Sequence, residues 1–120
     1  AYLKSDDPED PDHESLMNME AQLQSFRTLD GKPYRLVPLP KPEQMFLDGY
    51  PLPASYANFL IINGAVLVPG TGSELDEVVR PRLQEVFPDR EVIIIDCRPL
   101  LSGHGGLHCV TMQLPEGWLE

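Results

Sequence analysis

The sequence predicts a mixed α/β domain (α+β in its order of elements), and three observations carry that prediction. Asn63-Gly64 stands between two apolar runs, 58–62 and 65–69, which is the sequence signature of a tight β-hairpin with a type I′ turn. The stretch that follows places Leu75, Val78, Val79, Leu83, Val86 and Phe87 at helical spacing. Val92-Ile93-Ile94-Ile95 then reads as a buried strand. Strand, strand, helix, strand makes one ββαβ unit over 58–96.

The remaining elements follow in chain order. A chain of 120 residues can bury one modest core. It opens with Ala1-Tyr2-Leu3-Lys4, not Met, which reads as the end of a strand in a piece cut from a longer polypeptide. Residues 5–12 are acidic and broken by proline. Asp10 as N-cap, Pro11 at the first helical position, and Asp12 and Glu14 in the first turn predict a helix entry. A divalent-metal site is the alternative reading of these carboxylates.

Leu16, Met19, Leu23 and Phe26 form one apolar stripe of a helix from Pro11 to Leu29, stopped by Asp30 and a left-handed Gly31. Tyr34–Leu39 is strand-like. Residues 40–55 hold Pro40, Pro42, Pro51 and Pro53 and read as a loop with short extended pieces at most. Both hairpin strands are apolar throughout, which predicts burial on both faces.

Ser73 and Asp76 have the spacing of a capping pair for the next helix. Pro81 inside the stripe predicts a kink or a helix start near Arg80. The last strand is expected over Leu107–Leu114, followed by a tail, Gly117-Trp118-Leu119-Glu120, whose Trp packs back on the domain. One partial module with a proline-rich loop (1–56) and a second module (57–120) are therefore expected.

Charge narrows the function classes. The formal net charge is −10, and half of the excess lies in residues 1–14, where Lys4 faces Asp6, Asp7, Glu9, Asp10, Asp12 and Glu14. Such acidity repels phosphate backbones and argues against nucleic acid as a partner. A cationic substrate is compatible with it. Two cysteines make no disulfide framework, no apolar run approaches the ~20 residues of a membrane span, and no signal peptide is recognisable. A reducing, cytoplasmic setting is the expectation.

The chemistry converges on Ser102-Gly103-His104-Gly105-Gly106-Leu107-His108-Cys109. Three glycines in four positions permit positive φ and close approach to a ligand. A thiol at the mouth of such a turn is placed to react. Cys97, by contrast, ends an apolar strand and reads as a small core residue. Zinc is the rival at the same place, through Cys97, His104, His108 and Cys109. However, the His pair converges only on a helix, and Gly105-Gly106 disfavours one.

Gly103-His104-Gly105-Gly106-Leu107-His108-Cys109-Val110-Thr111-Met112-Gln113-Leu114-Pro115 closely resembles the C-terminal signature of the agmatine deiminase and bacterial peptidylarginine deiminase family. So do Ser55-Tyr56-Ala57-Asn58-Phe59-Leu60-Ile61-Ile62-Asn63-Gly64 and the segment from Asp76 through Phe87-Pro88-Asp89-Arg90 to Asp96. His104, Met112 and Ala57 depart from the usual glycine, glutamine and valine. The resemblance implies the C-terminal part of a propeller of five ββαβ modules (a pentein), with about two of them present here.

It also implies hydrolysis of a guanidinium group to a ureido group and ammonia, without a cofactor or metal. Cys109 would be the nucleophile, and the backbone of Gly105 and Gly106 would pass beside the substrate. The substrate would be agmatine or peptidyl-arginine. A His-x-Asp pair and guanidinium-binding carboxylates belong to the reaction, and no His-x-Asp occurs in this sequence. The rest of the polypeptide, or a partner chain, would supply them. His108, alternating with Cys109 on the expected strand, is read as orienting the turn by a hydrogen bond, not as the base. A non-catalytic module of the same fold is the second class of function.

Overall fold

The computed structural model describes residues 1–118. Its centre is the predicted ββαβ unit. Strand β5 (Leu60–Ile62) pairs antiparallel with β6 (Ala65–Gly70), and β6 pairs parallel with β7 (Glu91–Asp96). Helix α2 (Leu75–Val86) is the crossover between the two parallel strands. Val66 stands opposite Val92, and Val68 opposite Ile94. One face of the sheet thus meets Val79 and Leu83 of the helix, with Leu39 and Tyr56 completing the core. Pro81 lies inside α2, which starts at Leu75 and not near Arg80.

Ahead of this unit, β1 (Tyr2–Lys4) pairs parallel with β2 (Pro38–Pro40), and α1 (His13–Ser25) is the connection between them. The expected strand at the N-terminus is present. Leu39 of β2 is fully buried against the β5-β6-β7 unit, so the two small sheets share one core. The proline-rich stretch carries only a short hairpin, β3 (Phe46–Leu47) with β4 (Tyr50–Pro51), turning at Asp48-Gly49 with positive φ at both residues.

Several expectations give way. Helix α1 ends at Ser25, and Gly31 (φ +80°) shapes a later turn that bridges Arg27 to Pro33. No α1 side chain is fully buried, and Phe26 is exposed. Asp10 caps no helix with its side chain; its carboxylate receives the Asp12 N–H and the Lys41 ammonium. Strand 34–39 shrinks to Pro38–Pro40.

At the Asn63-Gly64 turn only Gly64 has positive φ (+77°), so the turn is not type I′. Ile61 and Ile62 of β5 are exposed, as is Val78 of α2; β5 is a sheet edge with no strand beyond it among the described residues. No strand forms over 107–114: a 3-10 turn, His108–Val110, is followed by irregular backbone, with Met112 and Leu114 exposed. Trp118 is 70% exposed and does not pack back; Leu119 and Glu120 lie outside the described residues. No helix is long and apolar enough to cross a membrane among the described residues.

Candidate active site

The loop that carries the thiol is hung from two buried leucines. Leu101 closes the short helix α3 (Arg98–Leu101), and Leu107 leads into the 3-10 turn. Between them, the N–H groups of Gly103 and His104 donate back to the carbonyls of Leu100 and Leu101. The residue with left-handed backbone here is His104 (φ +58°), not any of the three glycines. The glycines serve close packing instead. A Cβ on Gly106 would stand 2.9 Å from Cγ and Oδ1 of Asn58, and one on Gly105 would stand 3.3 Å from the Cβ of Cys109.

Cys109 is exposed on the His108–Val110 turn. The turn is closed by Thr111, whose N–H and hydroxyl both donate to the His108 carbonyl, at 3.1 and 2.8 Å. The Asn58 side-chain amide donates to the Cys109 sulfur at 3.2 Å. That bond, with help from the backbone at Gly106, holds the thiol below its ordinary pKa despite some opposing burial. Cys97 is the opposite case. It is 1% exposed, and burial, reinforced by the charge of Asp96, pushes its thiol up.

Asn58 was not singled out as a site residue by sequence reasoning. Its position in the Ser55–Gly64 segment of the resemblance was the only signal. The turn before it is fixed by Tyr56, fully buried, whose hydroxyl donates to Asp76 at 2.6 Å. The Asp76 carboxylate also accepts the N–H groups of Thr71 and Gly72, at 3.0 and 2.9 Å. Asp76 is therefore the hub of a buried network and not the partner of a Ser73 cap; α2 has no side-chain cap. Burial raises its pKa, but the bonds from Thr71, Tyr56 and Gly72 outweigh this and leave it below the usual carboxylate value.

His108 sits on the 3-10 turn, so the strand alternation expected for it and Cys109 does not apply. Its backbone N–H, not its ring, makes the orienting bond, to Asn58 Oδ1 at 2.7 Å. With Ala57, Asn58, Phe59, Ile61 and Gln113, His108 lines a shallow hollow of about 410 Å3, of which Cys109 is not a wall. Among the described residues, no three His, Cys, Asp or Glu side chains converge as a metal site. The structure thus brings together Cys109, Gly105, Gly106, His108 and Asn58, and keeps Cys97 in the core.

Fold and loop together define a mixed α/β domain that presents an exposed thiol beside a side-chain amide. The chain belongs to the Porphyromonas-type peptidyl-arginine deiminase family, whose model matches residues 1–115. It is 32% identical over 129 residues to the agmatine deiminase of Pseudomonas syringae pv. tomato, covering 92% of this chain and 35% of that protein. Among solved structures, a Porphyromonas gingivalis protein provisionally assigned as an arginine deiminase is 58% identical with a TM-score of 0.93; the match covers 97% of this chain and 34% of that one. The agmatine deiminase of C. jejuni is 33% identical with a TM-score of 0.80, covering 89% of this chain and 32% of that one. The chain spans about a third of the length of these relatives.

Proposed function

We propose that this chain is the nucleophile-bearing part of a hydrolase that converts a guanidinium group to a ureido group and ammonia. The observation that carries the reading is the exposed Cys109 sulfur accepting a hydrogen bond from Asn58. The thiolate attacks the guanidinium carbon, and the tetrahedral adduct expels ammonia, which takes up a proton as it leaves. An amidino-thioether on Cys109 remains. Water then adds to the same carbon, the C–S bond breaks, and the ureido product departs with the thiolate restored.

The backbone of Gly105 and Gly106 runs beside the substrate. The proton carrier and the carboxylates that pair with the guanidinium come from outside these 120 residues, as parts of a propeller of five ββαβ modules in which 1–56 and 57–120 occupy two places. A cytoplasmic setting suits a thiol that must stay reduced.

Agmatine is the substrate favoured by the relatives from P. syringae and C. jejuni, both agmatine deiminases. A cysteine-to-serine variant of the C. jejuni enzyme has also been solved with substrate bound, which is consistent with chemistry that depends on a cysteine. Peptidyl-arginine is the second reading, and the matching family model favours it.

Assaying the full-length protein with agmatine and with a peptide containing an internal arginine, for ammonia and ureido product, separates the two. Cys109→Ser should abolish turnover of whichever is accepted. Retained turnover in that variant overturns the nucleophile. The isolated 120-residue chain is expected to release no ammonia from either.

A further inference from the structure

We propose that Asn63 is a site of spontaneous covalent modification: its side-chain amide converts through a cyclic imide to aspartate and isoaspartate, with water as the only other reagent. The inference is independent of the role of Cys109.

The step needs a carboxamide and, one residue further on, a backbone nitrogen free to attack it. The Gly64 nitrogen adds to Cγ of Asn63, and its proton passes to the side-chain nitrogen, which leaves as ammonia. A succinimide ring remains. Water then adds to one of the two ring carbonyls, and the C–N bond at that carbonyl breaks. Opening on the side-chain side gives aspartate. Opening on the main-chain side gives isoaspartate, whose backbone runs through Cβ and Cγ.

The chain has three asparagines, and the structure separates them. Asn18 lies inside α1, where the following nitrogen, that of Met19, belongs to the helical ladder. Asn58 is followed by Phe59, and its amide is engaged by the His108 N–H and the Cys109 sulfur. Asn63 is the one followed by glycine, which has no Cβ to obstruct approach to its nitrogen. Asn63 and Gly64 form the exposed two-residue turn beyond the last ladder pair, Ile62 and Ala65. Among the described residues, neither the Asn63 amide nor the Gly64 N–H has a hydrogen-bond partner. No atom lies within 4 Å of the place a Gly64 Cβ would take, so the space beside that nitrogen is open. Asparagine is among the thermolabile residues, and here its reaction partner is held in sequence and left free in space.

Conversion puts a negative charge at the tip of the hairpin. Isoaspartate also adds a carbon to the main chain of a turn whose length sets the β5–β6 register. Strand β5 has three residues, and its Ile61 carbonyl receives the Gln113 side chain from the segment after Cys109. A displaced turn therefore loosens both contacts of β5.

The test incubates the folded full-length protein at mildly alkaline pH and maps its peptides by mass spectrometry for the change from amide to acid. An isoaspartate-specific carboxyl methyltransferase with a labelled methyl donor detects the isomer. Conversion should fall on Asn63, leave Asn18 and Asn58 as amides, and yield methyl-accepting protein. In Asn63→Gln, whose longer side chain does not close the same ring, methyl acceptance should drop to background. An Asn63 amide that stays intact in folded protein, while urea-unfolded protein converts under the same conditions, overturns the proposal. So does methyl acceptance that persists in Asn63→Gln, or conversion at Asn58 equal to that at Asn63.

Discussion

The hydroxyl of Tyr56 donates to the carboxylate of Asp76 at 2.6 Å, tying the turn that precedes Asn58 to the first turn of helix α2. The bond is buried, and Asp76 meets the Thr71 and Gly72 amides on its other lone pairs. Tyr56→Phe keeps the ring and removes one donor from a carboxylate that stays buried. The expected cost is about 1–3 kcal/mol of stability, measured by urea denaturation. An unchanged midpoint would show that water replaces the phenol without loss.

Acid should unfold the domain through the same carboxylate. A folded-state pKa below the unfolded one gives stability that is complete above the unfolded value and is lost as pH falls through the folded value. The unfolded value for Asp76 is 3.8. Asp10, held at about 2 chiefly by Lys41, and Asp96, held at about 2 chiefly by Arg98, titrate in the same window. The melting temperature should be flat from neutrality down to the upper end of that window and then fall towards pH 2. Asp76→Asn should be less stable at neutrality and show a shallower acid decline. A melting temperature that rises on acidification below 3.8 contradicts this account.

The two thiols should separate cleanly under alkylation of the native protein. Cys109 is exposed and held low by Asn58; Cys97 is buried and pushed up. At neutral pH, labelling should fall on Cys109 with roughly tenfold preference for each unit by which the two pKa values differ, before any effect of burial on access. Equal labelling of both cysteines in folded protein would be incompatible with the packing around Cys97.

His104 occupies left-handed backbone at φ +58° without being a glycine. His104→Gly relieves about 1–2 kcal/mol of local strain and costs part of that in unfolded-chain entropy, leaving a net gain of up to about 1 kcal/mol. A thermal melt checks the sign. Destabilisation would mean that the imidazole makes a compensating contact.

The sequence made the ββαβ unit legible because its signals are local. The Asn63-Gly64 turn, the stripe through Val79 and Leu83, and the run Val92–Ile95 each announce themselves within a few residues. The exposure of Cys109 on a glycine-rich loop was legible for the same reason. What failed was whatever depended on distant partners. Leu107–Leu114 has the composition of a strand, but no strand among the described residues pairs with it, and the His108 amide goes to Asn58 instead. The glycines of 103–106 suggested unusual φ, whereas the structure uses Gly105 and Gly106 for contact distance, which only a neighbour in space can reveal. Asp76 looked like a cap from its spacing to Ser73. Its link to Tyr56, across 20 positions, could not be read from the order of residues.

The amide of Asn58 and the sulfur of Cys109 are 51 positions apart. The bond that lowers the thiol's pKa therefore forms only once the loop bearing Cys109 has docked against the turn bearing Asn58, so the lowered pKa belongs to the folded domain and not to either segment alone.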